Sequence, residues 1–390
     1  MDQTQPVKES PSLGTLFLSF LLLGATAFGG PAMVEYIRRL SVGEKRWLDE
    51  RPFRDGVALC TTVPGATAMQ VAAYVGLRIR GVAGAAVSFV GFGLPAFLFM
   101  MVLSALYLEM KGIPMAISAF QGLKVLVVAI VAAAAIGFSR DTITGVRPFA
   151  IAVIAAALFL AGVSPILIII FAGDLGILAG TPLPPQDGEG SGGEMGSTVR
   201  PFLLIALGAA AILCALALFA PSLAGIFALM LRIDLFAFGG GQAALPLLFH
   251  EVVQARGWLD AQTFLDGIAL GQVTPGPIVI SATFIGYLLQ GPAGGAVATL
   301  GIFLPSFLMV IGLAPYFPRI RASPTLSRAF GGIVSSFAGL LISVTILFGS
   351  QIPWDLPRAL IATGAFLALM GKVRVHRVVI AGLVVSLLLL

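Results

Sequence analysis

Four places in this sequence could cradle an anion in backbone. They read Phe28-Gly29-Gly30-Pro31, Pro64-Gly65-Ala66-Thr67, Phe238-Gly239-Gly240-Gly241 and Thr274-Pro275-Gly276-Pro277. Glycine lets backbone approach a ligand closely, and proline starts or breaks a helix. A helix broken at such a point exposes free N–H groups and the positive end of its dipole, which can replace the water stripped from an anion. Thr67, Gln70, Gln242, Gln272 and Thr274 lie beside these breaks and can donate hydrogen bonds without fixed charge. Close packing of helices through small residues, and hydrogen bonds between helices, are the alternative uses of the same residues.

Ionisable residues inside apolar runs are costly, so they are functional candidates. Lys124, Arg232, Asp234, Asp55 and Asp266 are of this kind, and Glu35 lies one turn past Pro31. Arg232 and Asp234 are two apart, so they do not share a helix face and need not pair. Proton coupling would need a titrating carboxylate, and the candidates in order are Glu35, Asp55, Asp266 and Asp234. Helix capping is the alternative for Asp55 and Asp266. Arg38, Arg39 and Arg46 belong to a basic block with Lys45, Arg51 and Arg54, beside Trp47 and Phe53. Such a block is either an interfacial helix against lipid head groups or an entrance that concentrates anions. His250, His376, Cys60 and Cys214 have no metal-ligand spacing, so no metal, cofactor or structural disulfide is expected. There is no Ser/His/Asp constellation and no Gly-x-x-x-x-Gly-Lys-Ser/Thr run, which argues against an enzyme and against nucleotide-driven work.

The elements that carry these residues follow from composition. Of 390 residues, 58% are hydrophobic and 11% charged. So little charge cannot cover a soluble globule, and a disordered chain is excluded for the same reason. The apolar runs are long and continuous rather than short and alternating, which predicts an all-α polytopic membrane protein and not a β-barrel. The net charge of +5 is scattered between apolar runs, as expected of loops beside a lipid bilayer, and predicts no nucleic-acid partner. The first apolar run ends in a motif that recurs deep in the chain, so it belongs to the fold and is not a cleaved signal.

The chain is two copies of one unit. Phe28-Gly29-Gly30 matches Phe238-Gly239-Gly240, Trp47-Leu48-Asp49 matches Trp258-Leu259-Asp260, and Pro64-Gly65 matches Pro275-Gly276. Leu94-Pro95 matches Leu304-Pro305, and Ala119-Phe120 matches Ala329-Phe330, at an offset that moves only between 210 and 211. The expected organisation is a polar tail at 1–12, a first repeat at 13–180, a Gly/Pro linker at 181–200, a connecting span at 201–220 and a second repeat at 222–390. Each repeat reads as six apolar segments, the first copy beginning 13–37 and 55–77, the second 222–248 and 266–288. Six, one and six predict thirteen spans. An odd number before the second copy would invert it in the membrane, as in many secondary transporters. If 13–37 dips back instead of spanning, the Arg38–Arg54 block becomes cytoplasmic and the copies could run parallel.

Phe28-Gly29-Gly30-Pro31, then Arg46-Trp47-Leu48 and Pro64-Gly65, repeated in degenerate form, resemble the chromate ion transporter family over roughly 13–175 and 222–385. The resemblance implies a multi-pass carrier of the bacterial inner membrane with oppositely oriented halves. It implies efflux of chromate, a structural analogue of sulfate, and chromate resistance. Sulfate or oxyanion uptake or exchange is the other transport reading, and a homodimer is compatible with it. The chain departs from the family pattern at Ala66, where the second copy has Pro277, and at Gly241, where the first copy has Pro31.

Overall fold

The computed structural model describes residues 11–28, 32–110, 112–181 and 198–389. Gly29, Gly30, Pro31, the first ten residues and most of the linker lie outside the described residues. In hydrocarbon every backbone N–H and C=O needs a partner within its own segment or a closed barrel, and this sequence answers with helices. Among the described residues there is helix and no strand.

The first copy forms α1 (Leu13–Thr26), α2 (Ala32–Arg38), α3 (Glu50–Thr62), α4 (Thr67–Glu109), α5 (Pro114–Thr142), α6 (Val146–Leu160) and α7 (Pro165–Ala179). Then comes α8 (Val199–Phe219), which buries none of its residues and, past Arg200 in its first turn, turns an apolar surface outward. The second copy forms α9 (Pro221–Phe236), α10 (Ala244–Phe249), α11 (Ala261–Val273), α12 (Ser281–Leu313), the short α13 (Phe317–Arg321), α14 (Pro324–Ser350), α15 (Leu356–Met370) and α16 (Val375–Leu389). The two lists correspond down to local irregularities. A π-helical turn follows α2 at Arg39–Glu44 and α10 at His250–Ala255. α4 kinks at Arg80–Gly81 and α12 at Gln290–Gly291, each glycine in the left-handed region.

Thirteen apolar segments do not become thirteen continuous helices. The segments at 13–37, 55–77, 222–248 and 266–288 each split in two, and the split falls at the Gly/Pro motif every time. Among the described residues five helices are long and apolar enough to cross a membrane: Thr67–Glu109, Met115–Thr142, Val199–Phe219, Ile278–Ile320 and Pro324–Ser350. α6, α7, α15 and α16, at 15 residues each, rise only about 22 Å, short of a hydrocarbon core of about 30 Å.

Packing interleaves the copies. α14 of the second lies against α6 and α7 of the first, while α5 of the first lies against α15 and α16 of the second. Small residues make this possible without a driving force from water. A Cβ at Gly332 would stand 2.1 Å from the Ala172 carbonyl oxygen, so only glycine lets α14 and α7 approach this closely. α4 and α12 also pack on each other across the centre. The helices outside this core expose many large apolar side chains, such as Leu178, Leu207, Phe219 and Leu388, as lipid contact requires.

Candidate substrate site

The site is assembled from helix ends. α1 stops at Thr26 and α9 at Phe236, the latter because Gly239 and Gly240 take φ of +98° and +91°, closed to most side chains. α3 stops at Thr62, and α4 restarts at Thr67 after Pro64 and Gly65, with φ +123° at Gly65. α11 stops at Val273, and after Pro275, Gly276 (φ +107°) and Pro277 a short 3-10 turn leads into α12.

Two reciprocal hydrogen bonds join these breaks across the copies. The Gly65 N–H donates to the Ala237 carbonyl at 2.9 Å, and the Gly276 N–H donates to the Ala27 carbonyl at 2.9 Å. Each Pro-Gly loop is therefore tied to the residue just before the other copy's Phe-Gly-Gly. Thr67, at the start of α4, sits beside Gly240, where an added Cβ would lie 3.1 Å from its hydroxyl. Val279, just after the second Pro-Gly loop, lies beside Gly241, where an added Cβ would be 3.7 Å from its Cγ1. These contacts gather Gly65, Thr67 and Gly240 on one side and Ala27 and Gly276 on the other, and Gly241 beside Val279 links the two. Phe28, next after Ala27, lays its ring against His376 of α16 at 5.6 Å.

The polar side chains differ in their commitments. Gln70 donates to the Pro64 carbonyl at 2.6 Å and so holds its own loop. The Thr274 hydroxyl donates to the Gly271 carbonyl at 3.1 Å, ending α11. Gln242 is half-buried in the turn after Gly241. Gln272 is buried, and its amide nitrogen donates to nothing among the described residues. An unpartnered buried donor costs about 1–3 kcal/mol, and this one stands one turn before Pro275.

The ionisable candidates fall into three groups. Asp234 is fully buried and accepts at one oxygen from the Ser306 N–H at 2.8 Å and the Ser306 hydroxyl at 2.7 Å. Ser306 in turn accepts from the Ala66 N–H at 2.8 Å, which places Asp234 within the grip on the Pro64-Gly65-Ala66 loop. Lys124 and Asp266 pair at 3.3 Å, and Lys124 also donates to Gln262 at 2.9 Å while Tyr107 donates to Asp266 at 2.9 Å. Arg232 turns away from Asp234, as its spacing requires, and pairs with the buried Glu251, which also pairs with Arg256. Asp55, the repeat mate of Asp266, is buried. The helices begin earlier than the apolar runs, at Glu50 and Ala261, so neither aspartate is a cap. Asp260 caps α11, accepting from the Thr263 N–H at 2.9 Å.

Glu35 sits apart from this core. It is largely exposed and accepts two hydrogen bonds of 2.7 Å from Arg38, which hold its carboxyl below the usual range. Arg38 also reaches Glu50 at 3.2 Å, and Arg39 pairs with Glu44 at 2.8 Å, so much of the basic block's charge is balanced locally. Arg46 takes φ +50°, the conformation that Gly257 takes at +59° in the second copy. Sequence reasoning missed Ser306, Glu251, Tyr107 and Gln262. Ser306 carried a signal, since it directly follows the repeated Leu304-Pro305 where the first copy has Ala96. Glu251 lay beyond the apolar run, and nothing local marks it as Arg232's partner.

A groove of about 450 Å³ between α4 and α12, lined by Met69, Phe89, Phe97, Phe303 and Phe307, offers one hydroxyl, Thr299, already bonded to Thr283 and to the Gly295 carbonyl. It lacks the donors an anion needs.

Broken helices paired between two copies of one unit, inside a multi-pass helical membrane protein, are the arrangement of many secondary transporters. The chromate transporter family model matches residues 14–177 and 224–388, and the chain belongs to that family. It is 38% identical to an uncharacterised transporter of Methanocaldococcus jannaschii, over 98% of this chain and 96% of the relative. It is 32% identical to a probable chromate transport protein of Synechococcus elongatus, over 94% of this chain and 92% of the relative. It is 31% identical to a chromate transport protein of Cupriavidus metallidurans, over 90% of this chain and 86% of the relative. No solved structure matches the chain.

Proposed function

We propose that this protein is a secondary carrier that moves chromate, or a sulfate-like oxyanion, outward across the inner membrane of a bacterial cell. The observation that carries the reading is the reciprocal pair of bonds, Gly65 to Ala237 and Gly276 to Ala27, which gathers the broken helix ends at one place. A tetrahedral dianion gives up its hydration only where donors replace it. The Gly65, Ala66 and Gly276 amides are spent on holding the loops, so the donors offered to the anion are the amides of the Gly239-Gly240-Gly241 loop, the Thr67 hydroxyl and the Gln272 amide, and they carry no full positive charge that would hold the anion too tightly to release. The copies are read as oppositely oriented, with alternating access arising from one half rocking on the other about this locus. Energy comes from an ion gradient or the membrane potential, and the buried carboxylates Asp234, Asp55 and Asp266 are the groups through which a proton could couple. The chain performs no covalent chemistry on its cargo.

Flux of labelled chromate in proteoliposomes containing only this protein, with an imposed pH gradient and sulfate as competitor, tests the proposal. Gradient-driven chromate movement resisted only weakly by sulfate is expected. Preferential movement of sulfate would reassign the cargo, and movement of neither by folded protein would overturn the carrier reading. Reporter tags at residue 190 and at the C-terminus should report opposite faces, and the same face would exclude the inverted arrangement.

A further inference from the structure

The two halves of the site are held by different chemistry. Residues at equivalent positions of the copies perform the same contact in each half. Gly65 lies against Ser306, where an added Cβ would stand 2.3 Å from the hydroxyl oxygen. Gly276 lies against Ala96, the equivalent of Ser306, with an added Cβ 2.6 Å from the alanine Cβ. The residue after the glycine is Ala66 in one loop and Pro277 in the other. Ala66 has an N–H, which must be satisfied in a buried loop, and Ser306 accepts it at 2.8 Å. Proline has no N–H, so its loop needs no acceptor and alanine suffices at position 96. The third equivalence completes the pattern. Asp234 accepts from both the N–H and the hydroxyl of Ser306, and the first copy has Gly24 in its place, packed so tightly that a Cβ would stand 2.2 Å from the Phe92 carbonyl oxygen. Three positions have therefore changed together: Ala66, Ser306 and Asp234 form a polar latch, while Pro277, Ala96 and Gly24 form an apolar one.

We propose that Ser306 and Asp234 are positioning residues that hold the Pro64-Gly65-Ala66 loop in a proton-dependent way, so that the two halves of the substrate site are released unequally. The assignment of a transport step to this latch rests on the carrier reading; the latch itself does not. The geometry gives the direction. As carboxylate, Asp234 accepts the one hydrogen bond that the Ser306 hydroxyl can donate, which fixes that oxygen's lone pair toward the Ala66 N–H. Hydrogen bonds to a charged acceptor are roughly twice as strong as neutral ones, so protonating Asp234 weakens both bonds to Ser306 and frees the hydroxyl to turn. Its second oxygen, Oδ1, has no hydrogen-bond partner among the described residues and is where a proton would sit. The surroundings leave this carboxylate without a counter-ion. On its own helix Arg232 is taken by Glu251; α10 carries no ionisable group; α12 carries only Tyr287, beyond the Gln290–Gly291 kink; α8 carries Arg200 and Cys214.

The experiment reads the latch directly and transport separately. Amide exchange of the 64–70 segment is measured in lipid nanodiscs at about pH 6 and about pH 8, corrected for intrinsic rate, with Gly276 of the apolar latch as internal reference. In the wild type, protection of Gly65 and Ala66 relative to Gly276 should fall at the lower pH by roughly tenfold; Asp234→Asn should hold it within about twofold between the two pH values. Ser306→Ala should abolish the excess protection, and Ser306→Thr, which keeps the hydroxyl, should restore it. The triple variant Ala66→Pro, Ser306→Ala, Asp234→Gly copies the sister latch. Ala66 has φ −77°, like Pro277 at −75°, so proline fits there. This variant should fold and show no change with pH in the protection of Gly65 relative to Gly276, and in proteoliposomes it should lose the same share of the pH dependence of chromate flux that Asp234→Asn loses. A relative protection that does not change with pH in the wild type, or that changes equally in Asp234→Asn, overturns the proposal. A pH-sensitive latch in a protein that moves no anion keeps the proposal and sinks the carrier reading instead.

Discussion

Lys124 and Asp266 are the ion pair that ties α5 to α11, and removing either partner should destabilise the protein by an amount the structure sets. Their side chains are 14% and 9% exposed, so both charges have left most of their water. Lys124→Met leaves the carboxylate with Tyr107 alone; Asp266→Asn leaves the ammonium with Gln262 alone. Breaking a buried pair from one side costs about 3–5 kcal/mol, because the other charge stays behind, and the residual exposure places this pair near the lower end, at about 3 kcal/mol. The double variant removes both charges, and asparagine still accepts from Tyr107, so it should cost only about 1–2 kcal/mol. At roughly 2 °C per kcal/mol for a chain of this size, each single variant should melt about 6 °C below the wild type and the double variant about 3 °C below it. Thermal unfolding in one detergent, read as a double-mutant cycle, measures this. The expected coupling, the two single losses less the double loss, is about 4–5 kcal/mol. Strictly additive losses would refute the reasoning, since they would mean the two groups do not sense each other.

Three further outcomes follow from the same geometry. Gly65→Ala and Gly276→Ala each place a Cβ on a backbone with φ beyond +100° and within 2.6 Å of a neighbour, so each should lose about 3 kcal/mol or more and show reduced yield of folded protein on size-exclusion chromatography. Glu35→Gln should leave the pH profile of flux unchanged between about pH 6 and about pH 8, because Arg38 holds that carboxyl below its ordinary value of about 4.3; stability gained from a lowered carboxylate pKa is present at neutral pH and is lost only as pH falls through that lowered value. Arg46→Gly should gain about 0.5 kcal/mol in thermal unfolding, since relief of the left-handed conformation outweighs the added freedom of the unfolded chain, and Gly257 already serves at that turn in the second copy.

The sequence by itself determined the medium, the repeat and the breaks. So few charges among so many apolar residues admit only a membrane, and an offset held at 210–211 admits only two copies of one unit. The Gly/Pro motifs marked every interruption of the first helices, because positive φ and a missing N–H are properties of single residues that no packing can alter. Even the non-pairing of Arg232 with Asp234 was fixed by spacing alone. What the tertiary structure decided is which residues meet. That α14 lies against α6 and α7 while α5 lies against α15 and α16 depends on how helix surfaces fit, and this is not encoded in any local pattern. The partners of Lys124, Arg232 and Asp234 lie 142, 19 and 72 residues away in the chain, at Asp266, Glu251 and Ser306, and only packing brings them within reach. The difference between Ala66 and Pro277 was visible in the sequence as a flaw in the repeat. Its cause, one surplus N–H that Ser306 accepts and Ala96 need not, exists only where the two copies touch.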